Sequence, residues 1–187
     1  MKNKKLRFIG NSTVFAAVTA GLAQIEIPLS LIPISGQTLA VGLTATILGS
    51  RQSAAAMAEY ALIGAVGSPI FLGFSGGVQV ITGPTGGYII GFIAAVAIIG
   101  IILEKTCFTI PAALVANTAG MFVTLFFGTI WLKIHLNFNW NSALAAGFYP
   151  FLIGGFVKAF LASWIGIKAR RRLTRISLLS DSLFKAA

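Results

Sequence analysis

Residues 143–167 read ALAAGFYPFLIGGFVKAFLASWIGI, and this stretch decides the class of the protein. It is long enough to cross a bilayer as one helix, because a span needs about 20 mainly apolar residues. Lys158 is its only charged residue. Measured from Ile167, the lysine lies about 14 Å along the helix, near the middle of a hydrocarbon core about 30 Å thick. A charge at that depth is costly by roughly 2.5–3.5 kcal/mol, so Lys158 needs either an acidic partner or a cavity that holds an anion.

The composition of the whole chain agrees with a membrane protein. Its 187 residues are 57% hydrophobic and only 10% charged, whereas soluble domains are about 25% charged. The net charge of +10 is concentrated in the basic ends, 2–7 and 168–175, which flank apolar segments and do not indicate nucleic-acid binding. A single cysteine, Cys107, excludes a disulfide within the chain. The sequence therefore predicts an all-α integral membrane protein.

Six apolar segments follow one another and form one predicted domain over residues 1–187. They are Phe8–Ile25, Thr38–Leu48, Ala54–Val66, Tyr88–Leu103, Ile110–Leu132 and Ala143–Ile167. If both termini are cytoplasmic, the inner side carries both basic ends with Arg51 and Lys105, and the outer side carries only Lys133. This bias predicts six transmembrane helices with both termini in the cytoplasm. Several segments are shorter than a full span, so the alternative of one re-entrant segment stays open.

Two loops on the predicted outer side, Ile27–Gln37 and Gly67–Gly87, contain no charged residue and are rich in apolar residues. Irregular backbone at membrane depth is tolerated only where protein buries it or where it lines a cavity. We expect both loops to form a lid over an outward-facing pocket. Anchoring at the membrane interface is the alternative.

Lys158 has two competing explanations. Glu59 is the only acid inside a predicted segment, and a structural Glu59–Lys158 ion pair is physically reasonable. The other explanation is that Lys158 holds a ligand carboxylate, with Gly154 and Gly155 opening space one turn before it.

The remaining candidates are polar residues and a glycine-rich turn. Gly83–Tyr88 begins the fourth segment, where Thr85 is placed to cap a helix whose N-terminus favours negative charge. A tight turn without a ligand explains the same residues. Other polar side chains in apolar stretches either face the pocket or donate hydrogen bonds between helices. They are Gln37, Thr38, Gln79, Asn117 and Tyr149; we favour ligand contact for Gln37 and a structural role for Asn117.

Small residues on the first segment indicate close helix packing. Ala16 and Ala20 are spaced to share one helix face, with Ala17 and Gly21 beside them. The face serves either a partner membrane protein or the interior of the bundle. No nucleotide-binding or metalloprotease motif occurs, and His135 is the only histidine. We therefore expect no catalysis, and a transporter of this kind needs a partner that hydrolyses ATP.

Three stretches of the sequence resemble the BioY family, the biotin-binding S components of energy-coupling-factor (ECF) transporters. They are Pro33–Ala40, Gly64–Gly77 with Gly83–Phe92, and Pro150–Lys158. The resemblance implies six helices in a bacterial plasma membrane and capture of biotin on the outer face. It also implies a transmembrane coupling subunit and two cytoplasmic ATPase subunits as partners, with membrane lipid and without nucleic acid. Small residues of the first helix, here Ala16 and Ala20, would dock the coupling subunit.

The resemblance also implies which residues bind the ligand. Lys158 matches a lysine that would take the valerate carboxylate of biotin. The family usually has an aspartate where this chain has Gly155 and often an arginine where it has Phe92, so Glu59 is a candidate to compensate. No catalytic residue, metal ligand or cofactor beyond the ligand biotin is expected. The candidate substrate contacts are Lys158, Gln37, Gln79, Tyr88, Tyr149, Glu59, Gly73, Thr85 and Gly86.

Overall fold

The computed structural model describes residues 2–28 and 32–175, of which residues 2–4 are described by their backbone alone. Residues 29–31 of the first predicted lid loop lie outside the described residues, as do the side chains of Lys2 and Lys4 in the basic N-terminal stretch. The described ranges are almost wholly helical. The helices are α1 (Lys2–Ala23), α2 (Gln37–Leu48), α3 (Ser50–Ala65), α4 (Val78–Thr82), α5 (Gly86–Lys105), α6 (Ile110–His135), α7 (Trp140–Gly147) and α8 (Tyr149–Arg175).

Four stretches of these helices are long and apolar enough to cross a membrane. They are Lys5–Ala23, Gly86–Lys105, Ile110–His135 and the α7–α8 stretch Trp140–Arg175. The helix α2 is apolar but shorter. An all-helical fold with candidate membrane spans is thus confirmed, and each predicted apolar segment overlaps at least one helix.

The last predicted segment is not one continuous helix. The backbone leaves helical geometry at Phe148, with φ −126° and ψ −63°, so α7 ends there and α8 begins at Tyr149. Pro150 explains the break, because proline has no N–H to donate and its ring clashes with the preceding helical turn, yet it fits the first turn of a new helix. Beyond the break, α8 continues without interruption through Lys158 to the basic residues near Arg175.

Both predicted lid loops contain short regular structure. In the first, β1 (Glu26–Ile27) pairs antiparallel with β2 (Ile34–Ser35), in the register Glu26↔Ser35 and Ile27↔Ile34. The second contains a 3₁₀ turn at Leu72–Phe74 and then α4. The hairpin was not predicted, because strands of two residues leave no periodicity in a sequence.

The end of the bundle opposite these loops is held together by two charged residues. Gly49, with φ +82°, is the single residue between α2 and α3. Directly after it, Ser50 donates from its backbone N and its Oγ to the Glu104 carboxylate, each at 2.7 Å. Arg170 is only 3% exposed; it donates to the Ile47 carbonyl and lies over a phenyl ring. The basic stretch of α8 therefore includes a buried structural residue as well as exposed ones.

Candidate functional site

A cavity lies between α2, α5, α6 and α8, directly beneath the two loops. Its walls are mainly apolar, as expected for a small-molecule site that uses a few polar groups for orientation. The loops contribute Ile32, Pro33, Ser35, Phe71 and Leu72. The helices contribute Gln37, Thr38, Val41, Gly42, Val80, Tyr88, Ile89, Phe92, Ile99, Asn117, Gly120, Met121, Thr124, Leu125, Phe151, Gly155, Lys158, Ala159 and Ala162, and Thr85 lines it from just before α5.

Lys158 reaches the cavity from the middle of α8 and has neutral partners. Its Nζ donates to the Ser35 carbonyl at 2.6 Å and to Thr38 Oγ1 at 3.1 Å. Thr38 lies in the first turn of α2, whose N-cap Gly36 offers no side-chain acceptor to the free N–H groups. A helix N-terminus carries partial positive charge, so it adds to the field of the ammonium. Two positive groups facing one cavity form a site for an anion.

A chain of hydrogen bonds connects this site to both loops. Ser35 Oγ donates to Gln37 Oε1 at 2.9 Å, and Gln37 Nε2 donates to the Tyr60 hydroxyl at 2.7 Å. That hydroxyl donates in turn to the Ile70 carbonyl in the second loop, at 3.2 Å. Gln37, predicted as a ligand contact, therefore lines the cavity and also joins the two loops through Tyr60.

The second loop is fixed over the cavity by the end of α1. Gln24 Nε2 donates to the Phe71 carbonyl at 3.0 Å, and its Oε1 accepts from the Phe74 backbone N at 2.9 Å. The Phe71 ring is fully buried and meets Tyr60 edge to face, with centroids 5.3 Å apart. This arrangement matches the prediction that the apolar loops form a cover, with Phe71 as the residue that fills the space beneath it.

The glycine-rich turn before α5 contributes two lining residues. Thr85 and Tyr88 both line the cavity. The Tyr88 hydroxyl donates to the Gly147 carbonyl at 2.7 Å, which fixes the ring against the break between α7 and α8. Thr85 makes no side-chain cap, in contrast to the prediction. Gly86 is not among the lining residues. It packs against the backbone of α4, where a Cβ would lie 1.7 Å from the Ile81 carbonyl oxygen.

Glu59 lies away from Lys158, on the other side of α3. Its carboxylate accepts hydrogen bonds from Ser12 Oγ at 2.5 Å and Thr13 Oγ1 at 2.9 Å, both on α1. Within residues 2–28 and 32–175, neither bond of Lys158 goes to a carboxylate. The structure thus gives Glu59 a role in α1–α3 packing; the Glu59–Lys158 pair does not form, and Glu59 is not among the residues that line the cavity.

Three other candidates are exposed and lie outside the cavity. Gln79 bonds to the Gly76 carbonyl at 2.7 Å within its own turn, Gly73 adopts φ +62° in the exposed 3₁₀ turn, and Tyr149 is 58% exposed. Each was chosen because a polar or small residue in an apolar stretch indicates a pocket. Whether such a side chain faces the cavity depends on the rotation of its helix. Residue spacing does not reveal that rotation near an interruption of the helix such as Phe148.

The two departures from the family pattern both face the cavity. Phe92 is 2% exposed and extends the apolar wall. At Gly155, a Cβ would lie 2.3 Å from Met121 Sδ, so the methionine fills the space that a side chain at 155 would take. The cavity is therefore more apolar here than an aspartate and an arginine would make it. Ser35 and Tyr60 were missed, because the first acts through its carbonyl and no motif in the sequence around the second marks it as a site residue.

The small residues of α1 divide between the interior and the surface. Ala16 is 3% exposed and belongs to the core, and Ala20 packs against that core. Ala16 therefore packs inside the bundle, which was the alternative to docking a partner. The exposed face lies beside it and includes Gly10, Ala17 and Gly21; a Cβ at either glycine would meet no atom within 4 Å.

Comparisons with known proteins agree on one family. The model of the BioY family matches residues 1–175. The biotin transporter BioY2 of Lactococcus lactis subsp. cremoris is 36% identical over 174 residues, which cover 93% of this chain and 96% of the relative. The biotin transporter BioY of Thermotoga maritima is 33% identical over 166 residues, or 89% and 97% of the two chains. A crystal structure of the S-component for biotin from an ECF-type ABC transporter superimposes with a TM-score of 0.83, at 24% identity, over 91% of this chain and 94% of that one.

Proposed function

Because this chain belongs to the BioY family, we propose that it binds biotin in the cavity beneath the two loops and serves as the substrate-binding subunit of an ECF-type importer. The observation that carries this proposal is the Lys158 ammonium beside the N-terminus of α2, whose hydrogen-bond partners among the described residues are all neutral. The chain is a transport subunit and not an enzyme.

The carboxylate of biotin would bind where Lys158 and the first turn of α2 converge. There it would accept hydrogen bonds from the ammonium and from Thr38, and it would face the positive end of the helix. Charge-assisted bonds of this kind are roughly twice as strong as neutral ones. The fused rings would occupy the apolar space deeper in the cavity, near Phe92 and Ile99.

We further propose that α1, α2, α3, α5, α6 and α8 all cross the plasma membrane as one domain over residues 1–187, with both termini cytoplasmic. The distribution of basic residues supports this topology, because Lys168, Arg171 and Arg172 follow the last span and would meet anionic lipid. The two loops would then face outward, where biotin arrives, and the end with Glu104 and Arg170 would face the cytoplasm.

Uptake would require partners, namely a transmembrane coupling subunit and two cytoplasmic ATPase subunits. Within the part of the chain that the structure describes, no Gly-rich loop is followed by the Lys-Ser or Lys-Thr of a nucleotide-binding motif. ATP hydrolysis would therefore occur on the partners and drive reorientation and release.

Direct titration of the purified chain with biotin tests the function. We expect saturable binding of one biotin per chain, and weaker binding of other vitamins, including anionic ones. Preference for another vitamin would make the protein an S component of different specificity. No binding of any vitamin would favour a non-transporting membrane scaffold.

The exposed face of α1 is our candidate for docking the coupling subunit. Ala16 and Ala20 were predicted for this role, and their neighbour Ala17 is the small residue that reaches the surface between Gly10 and Gly21. Small residues let two helix backbones approach closely, which stabilises helix association in membranes.

Replacing Ala17 by tryptophan is expected to reduce ATP-driven biotin uptake about tenfold or more, since a lost contact of 1.4 kcal/mol is already tenfold. Biotin binding by the isolated chain would stay unchanged, because Ala17 lies outside the cavity. The measurement pairs uptake into proteoliposomes that contain all subunits with titration of the single chain. The same substitution at Ala145, exposed on α7, is the control. Normal uptake by the Ala17 variant would rule out docking on this face.

A further inference from the structure

Among the described residues, one buried polar atom of the cavity wall has no hydrogen-bond partner. Asn117 is only 3% exposed, lines the cavity, and its Oδ1 accepts no hydrogen bond within the described ranges. Buried side-chain acceptors are normally satisfied, and one that is not requires an explanation. We propose that Asn117 Oδ1 is the acceptor for a ring N–H of the bound ligand and so determines specificity at the end away from its carboxylate; this inference rests on the proposed function.

The hydrogen bonds of Asn117 identify which atom is free. The amide nitrogen donates to the Ala113 carbonyl at 2.9 Å, and a carbonyl can only accept, so the nitrogen and oxygen are not interchangeable here. The same nitrogen lies 2.9 Å from Thr46 Oγ1 and 3.1 Å from Ser163 Oγ. These contacts to α2, α6 and α8 fix the amide plane. The orientation of Oδ1 is therefore set before any ligand binds.

A glycine keeps the surroundings of Oδ1 clear. A Cβ at Gly42 would lie 2.5 Å from Oδ1 and 2.8 Å from the Ala162 Cβ, so any larger residue at 42 would cover the acceptor. The neighbouring walls, Gly42 and Ala162, supply no donor of their own. The acceptor thus faces a small, apolar part of the cavity in which a ligand N–H is the missing partner.

The distance from the anion site fits a ligand with an acid at one end and a polar ring at the other. Ser163, which contacts Asn117, lies about 7–8 Å further along α8 than Lys158 at 1.5 Å per residue. Biotin has this arrangement, since a valerate chain separates its carboxylate from the ureido ring and its two N–H groups. A carboxylate bound at Lys158 therefore directs the ureido ring toward Asn117.

Ligand methylation distinguishes a specificity residue from a structural one. The experiment titrates wild type and Asn117→Ala with biotin and with biotin methylated at one or the other ureido nitrogen. We expect Asn117→Ala to weaken biotin about ten- to a hundredfold, the effect of losing one buried hydrogen bond. Methylation at the contacting nitrogen is expected to weaken binding to wild type similarly, and to have little further effect on the variant.

Each outcome is informative. Equal weakening of biotin and both methylated forms by Asn117→Ala would overturn the inference and leave Asn117 a packing residue, as would unchanged biotin binding. Absence of biotin binding by wild type would instead refute the proposed function.

Ser163→Ala is the matched control, because it removes a partner of Nδ2 and leaves Oδ1 unchanged. It should therefore change the affinity for biotin and for both methylated forms by the same factor. If Asn117→Ala does not fold, Gly42→Ala covers Oδ1 directly, and loss of discrimination between biotin and its methylated form is again expected.

Discussion

Replacing Lys158 by methionine is expected to weaken biotin binding by about 2–5 kcal/mol, or roughly 30-fold to a few thousandfold in Kd. Among the described residues, Lys158 is the only cation that lines the cavity. Methionine keeps much of the length and the apolar stem of lysine but carries no charge. The loss is large because a carboxylate in this apolar site would keep only Thr38 and the α2 N-terminus as partners. Titration calorimetry of wild type and variant measures the change.

The ligand itself provides the control for this prediction. Biotin methyl ester has no charged carboxylate, so wild type and Lys158→Met should bind it with similar, weak affinity. Glu59→Gln is the matched protein control, since it removes a charge that bonds to α1 and should leave biotin affinity unchanged. If Lys158→Met weakens the ester as much as the acid, Lys158 supports the shape of the cavity and does not bind the carboxylate.

Alanine at Gly100 is expected to destabilise the fold by about 1–3 kcal/mol, the usual effect of overpacking a filled core. A Cβ there would lie 2.2 Å from the Ser50 backbone N and 2.7 Å from the Gly49 carbonyl carbon. Both are backbone atoms at the α2–α3 turn, which Glu104 also holds in place, so they cannot move aside as a flexible side chain would. The midpoint of thermal unfolding in detergent should fall accordingly.

Gly154→Ala on α8 is the control for the Gly100 prediction. Its nearest neighbour would be Ile34 Cγ2 at 3.9 Å, an ordinary van der Waals contact. Because alanine favours a helix by up to about 1 kcal/mol over glycine, this variant should be as stable as wild type or slightly more so. Equal stability of the two variants would show that α5 does not approach the α2–α3 turn as closely as described.

The sequence was most informative where one physical rule dominated. Long apolar runs and their basic flanks predicted the helices, because a helix is the simplest structure that satisfies the backbone in lipid. The isolated charge of Lys158 predicted a residue that faces the cavity. These inferences need only the neighbouring residues in the chain.

Other features depend on contacts between distant residues. Ser12 and Thr13 bind Glu59 from another helix, and nothing in the sequence pairs them. Asn117 was predicted to be structural, and its nitrogen does lie within hydrogen-bond distance of three acceptors on α2, α6 and α8; its oxygen, however, has no partner among the described residues. Ser35 contributes a backbone carbonyl, for which any residue type would serve. Such roles arise from helix rotation and register, and composition does not encode them.

The bond between Lys158 and the Ser35 carbonyl has a consequence for the hairpin of β1 and β2. The ammonium donates to two oxygens of its own chain, so its charge is not left without hydrogen bonds in an apolar interior. The same bond ties α8 to β2 of the hairpin, because Ser35 is the last residue of that strand. A single side chain therefore anchors part of the cover and also supplies the positive charge of the cavity, so a substitution at 158 should affect both.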